Sequence, residues 1–587
     1  MDRLNKKSIV LLSTIIVVVT FITYVSTLRN DFVWDDVQLI THPLKMNSNP
    51  YAFFFGSDLY YRPFLYLSMA LDYSFWHLNP FGFHLTNIII HIVNSLLVFL
   101  LGFSLFRSGR MAAEAQQATD SRALFLSFIS AIVFAVHPIH TESVAWVSGR
   151  TDMLSTLFFL LAFLAFVVYE REGRAAALAT TCIFFAFSLF SKENAIAFVG
   201  VVFVYGLIAG MPRKKLILST TALIMVFLVY FVMRNAEGRE MFLARAGTKE
   251  AFFSSGISIE NFFSILSLGA GYYFEKLVLP FNLNLLPQIP TNPLYSLLSL
   301  SFIVTVVAMY LKRLRLAVFL TCWIIITLSP SLLILYSQVT AAPIGERYLY
   351  LPSVGFSLLI GALLLKSNRK VMIVSILVII VAYSFSTHER LKVWKNNMTL
   401  WSDTVEKSPD SVIAHTNYGA ALLDAGKFDD AKRELLIALR LKRMSFEQAS
   451  AIFNLLGVIE VRNGYYENAE EYFEKALTAN PKNITAYNNV GYLYMQMSES
   501  AKADETGENG LIEKAIENFK EASRLSPNFI QPKYNLGLCY LKKGDLETSE
   551  EYFNSVVELD PRSDLAREAI QFLTVIQFMK ANKAKRI

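Results

Sequence analysis

Long apolar runs separated by short charged turns fill roughly the first two thirds of this 587-residue chain, and the last third alternates small, charged and aromatic positions with a helical period. Runs long enough to cross roughly 30 Å of hydrocarbon begin near residues 8, 84, 123, 152, 175, 194, 216, 261, 293, 316, 350 and 371. The first, Ser8 to Leu28, follows MDRLNKK and carries no small-residue cleavage pattern, so it reads as a retained span. With the N-terminus inside, Arg107, Arg110 and Arg122, then Arg171 and Arg174, then Arg213, Lys214 and Lys215 fall on the cytoplasmic side, as the positive-inside rule asks. Counting all twelve runs would put KRLR (312 to 315) and KSNRK (366 to 370) outside. Treating 261 to 280, interrupted by Gly269, Gly271, Glu275 and Lys276, as interfacial restores the rule and leaves eleven spans with the C-terminal part outside.

From about residue 411 a repeat sets in. Gly419, Ala431, Leu435 and Ala438 are matched at the same offsets by Gly457, Ala469, Phe473, Ala476 and Pro481, and again by Gly537, Ser549, Phe553, Val556 and Pro561. Gly491 with Ala515, Phe519, Ala522 and Pro527 fits after about 12 extra residues around SESAKADETGEN. This is the roughly 34-residue tetratricopeptide pattern, in which small residues admit close helix pairing and an aromatic fills the gap. The predicted fold is all-α: a polytopic membrane helix bundle of about eleven spans over 1–390, a linker at 391–410, about four repeats forming an α-solenoid over 411–561, and a capping helix and tail over 562–587.

Composition narrows the function. Hydrophobic residues make up 54% and the mean hydropathy is +0.41, which excludes an ordinary soluble domain. The net charge of +6 is spread over short loops, so nucleic acid is excluded as a partner. Cys182, Cys322 and Cys539 lie too far apart for a disulfide framework or a zinc site.

Chemistry-bearing residues gather at turns predicted to face outward. In FVWDDVQLI, Asp35 and Asp36 either cap a short interfacial helix or supply a general base whose pKa is raised by its neighbour and by desolvation. Residues 29 to 83 add Asp31, Asp58, Arg62 and Asp72. HPIHTESVAWVSGRTD crowds together His137, His140, Glu142, Arg150 and Asp152, a polar turn rather than a metal site, since no third ligand stands at a known spacing. SKEN, with Lys192 and Glu193, and GERYLY, with Glu346, Arg347 and Tyr348, read either as snorkelling ion pairs or as a phosphate site at headgroup level, with Arg62 alongside. In the repeats, Asn417, Asn489 and Asn535 recur two residues before the packing glycine, with Asn454 displaced by one position. Either they bond adjacent repeats, or they form a ladder that grips the backbone of an acceptor peptide.

The ordered set YYRPFLYLSMALDYSFWHLNPFGFHLTNIIIH, VFAVHPIHTESVAWVSGRTDML, SKEN, GYYFEKLVLPFNLNLLP and GERYLYLPSVGFSLL, followed by the repeats, resembles the transmembrane and tetratricopeptide repeat-containing O-mannosyltransferases and their bacterial relatives. That resemblance implies a GT-C glycosyltransferase taking a sugar, mannose or another hexose, from a polyprenyl-phosphate carrier. The acceptor would be a protein Ser or Thr hydroxyl on the non-cytoplasmic side of a bacterial cytoplasmic or endoplasmic reticulum membrane. The acidic pair would be its catalytic centre, Arg347, Lys192, Arg62 and Tyr348 would hold the donor phosphate, and no metal or other cofactor would be needed. The rival classes are a membrane scaffold recruiting proteins through its repeats and a lipid flippase or transporter. Eleven spans exceed what a scaffold needs, and transporters place their ionisable groups nearer the bilayer midplane.

Overall fold

The computed structural model describes residues 3–41, 61–107, 119–235, 259–337, 342–364, 369–442, 444–500, 505–561 and 563–584; Asp58 lies outside them. The chain divides into two units, Met1–Asp403 and Thr404–Ile587.

Each of the twelve apolar runs forms a helix in the first unit, from Arg3–Tyr24 to Arg369–Val393. Six stretches are long and apolar enough to cross a bilayer by themselves: Lys6–Arg29, Pro80–Phe106, Val147–Glu172, Arg213–Asn235, Leu294–Leu311 and Arg315–Leu335. Asp120–Ala135 and Pro138–Ala145, bent by 49° at His137, pass the same test as a pair, while Ala175–Ser191, Glu193–Ile208 and Pro352–Leu363 are shorter. The segment read as a non-spanning or interfacial helix is one continuous helix, Ile259–Val278. Its glycines are contact points: a Cβ on Gly271 would strike the Tyr295 carbonyl of the next helix, and one on Gly269 the Leu335 side chain.

The helix Pro80–Phe106 organises this unit. Its polar residues His84, Asn87, His91 and Asn94 are spaced three and four apart, so they share one face, and all four are fully buried. Buried polar groups need partners, and Asn87, His91 and Asn94 find them on the chain that follows. Asn87 Nδ2 donates to the Val144 and Trp146 carbonyls (3.1 Å each), and Asn87 Oδ1 accepts from Arg150 Nε at 2.7 Å. Asn94 Nδ2 donates to Met153 O at 2.9 Å, and His91 bridges Ala135 O and the Tyr350 hydroxyl. The turn 135–153 is thereby fixed to the helix Pro80–Phe106.

Residues 391–410, read as a linker, are largely helical: Arg369–Val393 is followed after a short turn by Asn397–Lys407. The turn is closed by reciprocal bonds between Asn396 and Thr399, and the buried Trp394, Leu400 and Trp401 anchor it among charged neighbours.

The second unit consists of the helix pairs Val412–Asp424 with Phe428–Arg440, Phe446–Arg462 with Tyr466–Ala479, Ile484–Ser500 with Glu505–Leu525, and Ile530–Lys542 with Leu546–Leu559. Gly426, Gly464 and Gly544 end first helices at φ of +73°, +79° and +79°, where a side chain would be strained. The packing glycines meet the predicted aromatics: a Cβ at Gly457, Gly491 or Gly537 would lie 2.6 to 2.8 Å from the ring of Phe473, Phe519 or Phe553. The second helix of the third repeat is longer, at 21 residues against 13 or 14 in the others. Asp564–Ala584 closes the stack by burying Ala566, Ala569 and Ile576 against Phe553 and Val556.

Candidate active site

Asp35 and Asp36 sit side by side and differ in surroundings. Asp36 begins the short helix Asp36–Thr41 and is fully buried. Its Oδ1 accepts from the Ser148 amide (2.8 Å) and hydroxyl (2.6 Å), and its Oδ2 from the Val33 amide (3.1 Å). Asp35 is partly exposed, and its Oδ1 accepts from the Trp146 indole at 3.2 Å. Burial pushes the Asp36 carboxyl up to about 7 against the pull of those three donors, with the Asp35 charge adding to the rise. Asp35 is raised by burial too, and is opposed by backbone and indole donors and by the Arg347 charge. Near neutral pH the Asp36 carboxyl is therefore partly protonated.

The backbone that presents them is strained. Trp34 has φ of +55°, an outlier for a bulky side chain. Three contacts hold it: its amide donates to Asn397 Oδ1 (2.8 Å), its ring stacks on Trp146 (5.0 Å between centroids, 19° between planes), and Trp401 meets it edge-on at 5.9 Å. Strain of this kind persists where surrounding contacts over-determine it, and it clusters at functional sites.

Two cations, Arg347 and Lys192, lie against the Tyr348 ring. Arg347 lies 4.8 Å from the centroid of that ring and Lys192 5.1 Å, and Arg347 also lies 5.6 Å from the Trp146 ring. Each proposed phosphate-binding cation already faces a carboxylate. Arg347 pairs with Glu142 through Nη1 and through its own amide (2.9 Å), Lys192 with Asp152 at 2.6 Å, and Arg62 with Glu193 at 3.0 Å. Burial alone would lower the Arg347 pKa, and the adjacent Glu142 more than reverses this, so the guanidinium is firmly charged. Its Glu142 bond leaves other N–H groups of the planar fork to address a second anion.

The remaining candidates serve the scaffold. Arg150 is fully buried, ion-paired with Asp72 at 2.6 Å and bonded to Asn87 and the Phe83 carbonyl. His137 Nε2 meets Leu277 O at 2.9 Å and His140 Nε2 meets Ser353 Oγ at 2.8 Å; among the described residues no cluster could hold a metal. Glu346 accepts from the Asn284 amide. In the repeats, Asn489 Nδ2 donates to Asn454 Oδ1 (3.0 Å) and Asn535 Nδ2 to Asn488 Oδ1 (3.1 Å), while Asn417 Nδ2 returns to Ile413 O of its own helix (2.8 Å). For Asn489 and Asn535 this is the bond between adjacent repeats, the structural one of the two readings.

The sequence reading gave Trp146 and Ser148 no role. Both lie in the turn 142–149, which grips Arg347 through Glu142, Asp35 through Trp146 and Asp36 through Ser148. Gly149 makes the turn possible, since a Cβ there would lie 2.9 Å from the Glu142 carbonyl oxygen and the Ser143 Cα.

Two family models match the chain, "Tetratricopeptide repeat" over residues 402–484 and "Regulator of microtubule dynamics protein 1-3" over residues 465–574. The Caenorhabditis elegans protein O-mannosyl-transferase F38B6.6 is 26% identical over 463 residues, covering 74% of this chain and 63% of that protein. Human protein O-mannosyl-transferase TMTC3 is 23% identical over 606 aligned positions, covering 86% of this chain and 64% of that protein. Human TMTC4 reaches 34% over 173 residues, 26% of this chain and 22% of its own length. This chain thus spans a little under two thirds of the first two relatives. Among solved structures, MamA is 22% identical over 28% of this chain and 87% of its own, with a TM-score of 0.23. YrrB, "a TPR protein with an unusual peptide-binding site", is 19% identical over 32% and 87%, also with a TM-score of 0.23.

The described residues form a helical protein with membrane-type helices, a carboxylate pair within reach of the Arg347 charge, and a tetratricopeptide stack. Over most of its length the chain is similar in sequence to proteins named as protein O-mannosyl-transferases, and its repeats match the tetratricopeptide model.

Proposed function

We propose that this protein is a membrane glycosyltransferase that moves a hexose, mannose by kinship, from a polyprenyl-phosphate carrier to Ser or Thr hydroxyls of proteins on the non-cytoplasmic side. Asp35, partly exposed, takes the proton of the acceptor hydroxyl as that oxygen attacks the anomeric carbon. The new C–O bond forms as the bond from the anomeric carbon to the phosphate oxygen breaks, and the phosphate leaves with the bonding pair. Attack opposite the leaving group inverts the anomeric centre. The unused N–H groups of Arg347 stabilise the charge that grows on the phosphate, with Lys192 beyond Tyr348 in support and Arg62 further out. Asp36 is a neutral neighbour that fixes the turn. Basic side chains suffice for a phosphate monoester leaving group, so the reading requires no metal or other cofactor. The repeats, on the same side of the membrane in the eleven-span topology, present the acceptor protein.

The observation that carries this reading is the arrangement of Asp35 and Arg347 around one indole, a base and a phosphate-binding fork on neighbouring turns. It is tested by incubating the purified protein with radiolabelled sugar on a panel of polyprenyl phosphates and with membrane proteins as acceptors. Alkali-labile label on Ser or Thr is expected with at least one donor. Absence of label with every donor would favour a scaffold.

A further inference from the structure

Trp146 touches both halves of the proposed chemistry. Its indole N–H reaches Asp35 Oδ1 at 3.2 Å, its ring stacks on Trp34, the residue before Asp35, and the Arg347 guanidinium lies 5.6 Å from its centroid. The side chain is 8% exposed, and the Trp146 carbonyl is tied to Asn87 of the central helix at 3.1 Å. An indole donates and never accepts, so it can orient a carboxylate without competing for the proton that the carboxylate is to receive. Its stack also supports the left-handed Trp34 backbone, whose conformation sets the direction of the next side chain.

We propose that Trp146 is a positioning residue that aims Asp35 at the acceptor hydroxyl and sets the distance between that base and Arg347 at the leaving group, an inference that rests on the glycosyl-transfer reading. Its N–H favours the ionised carboxylate and keeps the base competent at lower pH. The charged groups acting on Asp35 are Asp36 beside it and Arg347 opposite, with Glu142 paired behind Arg347. A substitution at Trp146 removes none of these charges.

The experiment uses the full chain in detergent with radiolabelled polyprenyl-phosphate mannose and a Ser/Thr-containing acceptor, comparing wild type with Trp146→Phe, Trp146→Leu and Asp35→Asn across pH. Trp146→Phe keeps a stacking ring and loses the N–H. It should lower kcat by about 10-fold, leave KM for the donor within about twofold, and move the acid limb of kcat/KM to higher pH by up to about one unit. Trp146→Leu loses the stack as well and should fall further, and if it fails to fold the Phe variant decides. A Phe variant with the wild-type acid limb and kcat, or losses that merely track thermal stability, would overturn the role given to Trp146. An active Asp35→Asn enzyme would sink the proposed base, and the indole's role with it. An inactive Asp35→Asn enzyme beside an unchanged Trp146→Phe enzyme would remove the indole's role alone.

Discussion

Burial of Asp36 sets up a pH dependence of stability that substitution at that position should erase. The carboxyl is raised from its ordinary 3.8 to about 7, because burial outweighs the Ser148 and Val33 donors. An upward shift means that the folded state holds the proton more tightly than the unfolded chain does. The stabilisation from this group is complete below about pH 3.8 and is lost as pH rises through about 7. A shift of about three units at 1.36 kcal/mol each is on the order of 4 kcal/mol, most of it lost between about pH 5 and pH 7. Asn does not titrate, so Asp36→Asn lacks this slope. It also turns an amide NH2 towards a backbone N–H that needs an acceptor, a roughly constant cost of about 1–3 kcal/mol. Thermal unfolding midpoints of both proteins in one detergent, measured from about pH 5 to about pH 8, supply the assay. The wild-type advantage should be largest at the acid end and shrink as pH rises. A constant difference, or one that grows with pH, would refute the buried-acid description of Asp36.

Arg347→Ala should lower kcat/KM for the lipid donor by about 100-fold, the scale of losing one preorganised donor to a developing anion, with Arg347→Lys recovering only part because the fork is lost; steady-state kinetics over donor concentration decides, and unchanged kinetics with reduced stability would make Arg347 purely structural. Asn489→Ala with Asn535→Ala leaves Asn454 and Asn488 without their partners inside the stack, so the repeats should lose about 1–3 kcal/mol per site in thermal or denaturant unfolding; weakened acceptor transfer with unchanged unfolding would instead restore the peptide-ladder role. A cysteine at Ser500, in a background without Cys182, Cys322 and Cys539, should react in intact cells with a membrane-impermeant thiol reagent, and labelling only after permeabilisation would reverse the eleven-span orientation.

Hydrophobic pattern alone made the helices legible, because an apolar run of twenty residues admits few other structures. The repeats were legible through the offset between Gly457 and Phe473, which is a packing contact written into the sequence. Two features resisted. The helix Asn397–Lys407 hid behind charged residues, since Trp394 and Trp401 anchor it through long-range burial rather than through local periodicity. The division of labour between Asp35 and Asp36 depends on Trp146 and Ser148, 111 and 112 positions away. Asn87 and Asn94 fix that distant turn through carbonyls of Val144, Trp146 and Met153, which no spacing along the helix reveals. The carboxylates opposite Arg347 and Arg62 likewise come from other turns, Glu142 and Glu193, and only the folded chain brings each pair together.

The central claim is that Asp35 is the base and Asp36 its buried support, and single-turnover transfer of labelled sugar from the lipid donor to a Ser/Thr acceptor by Asp35→Asn and Asp36→Asn tests it most directly. Asp35→Asn should fold with wild-type thermal stability and lose transfer by about 100-fold or more, whereas Asp36→Asn should show its larger change in stability and a smaller loss in rate. Near-normal transfer by Asp35→Asn, with the large loss falling on Asp36→Asn or on neither, would contradict the account.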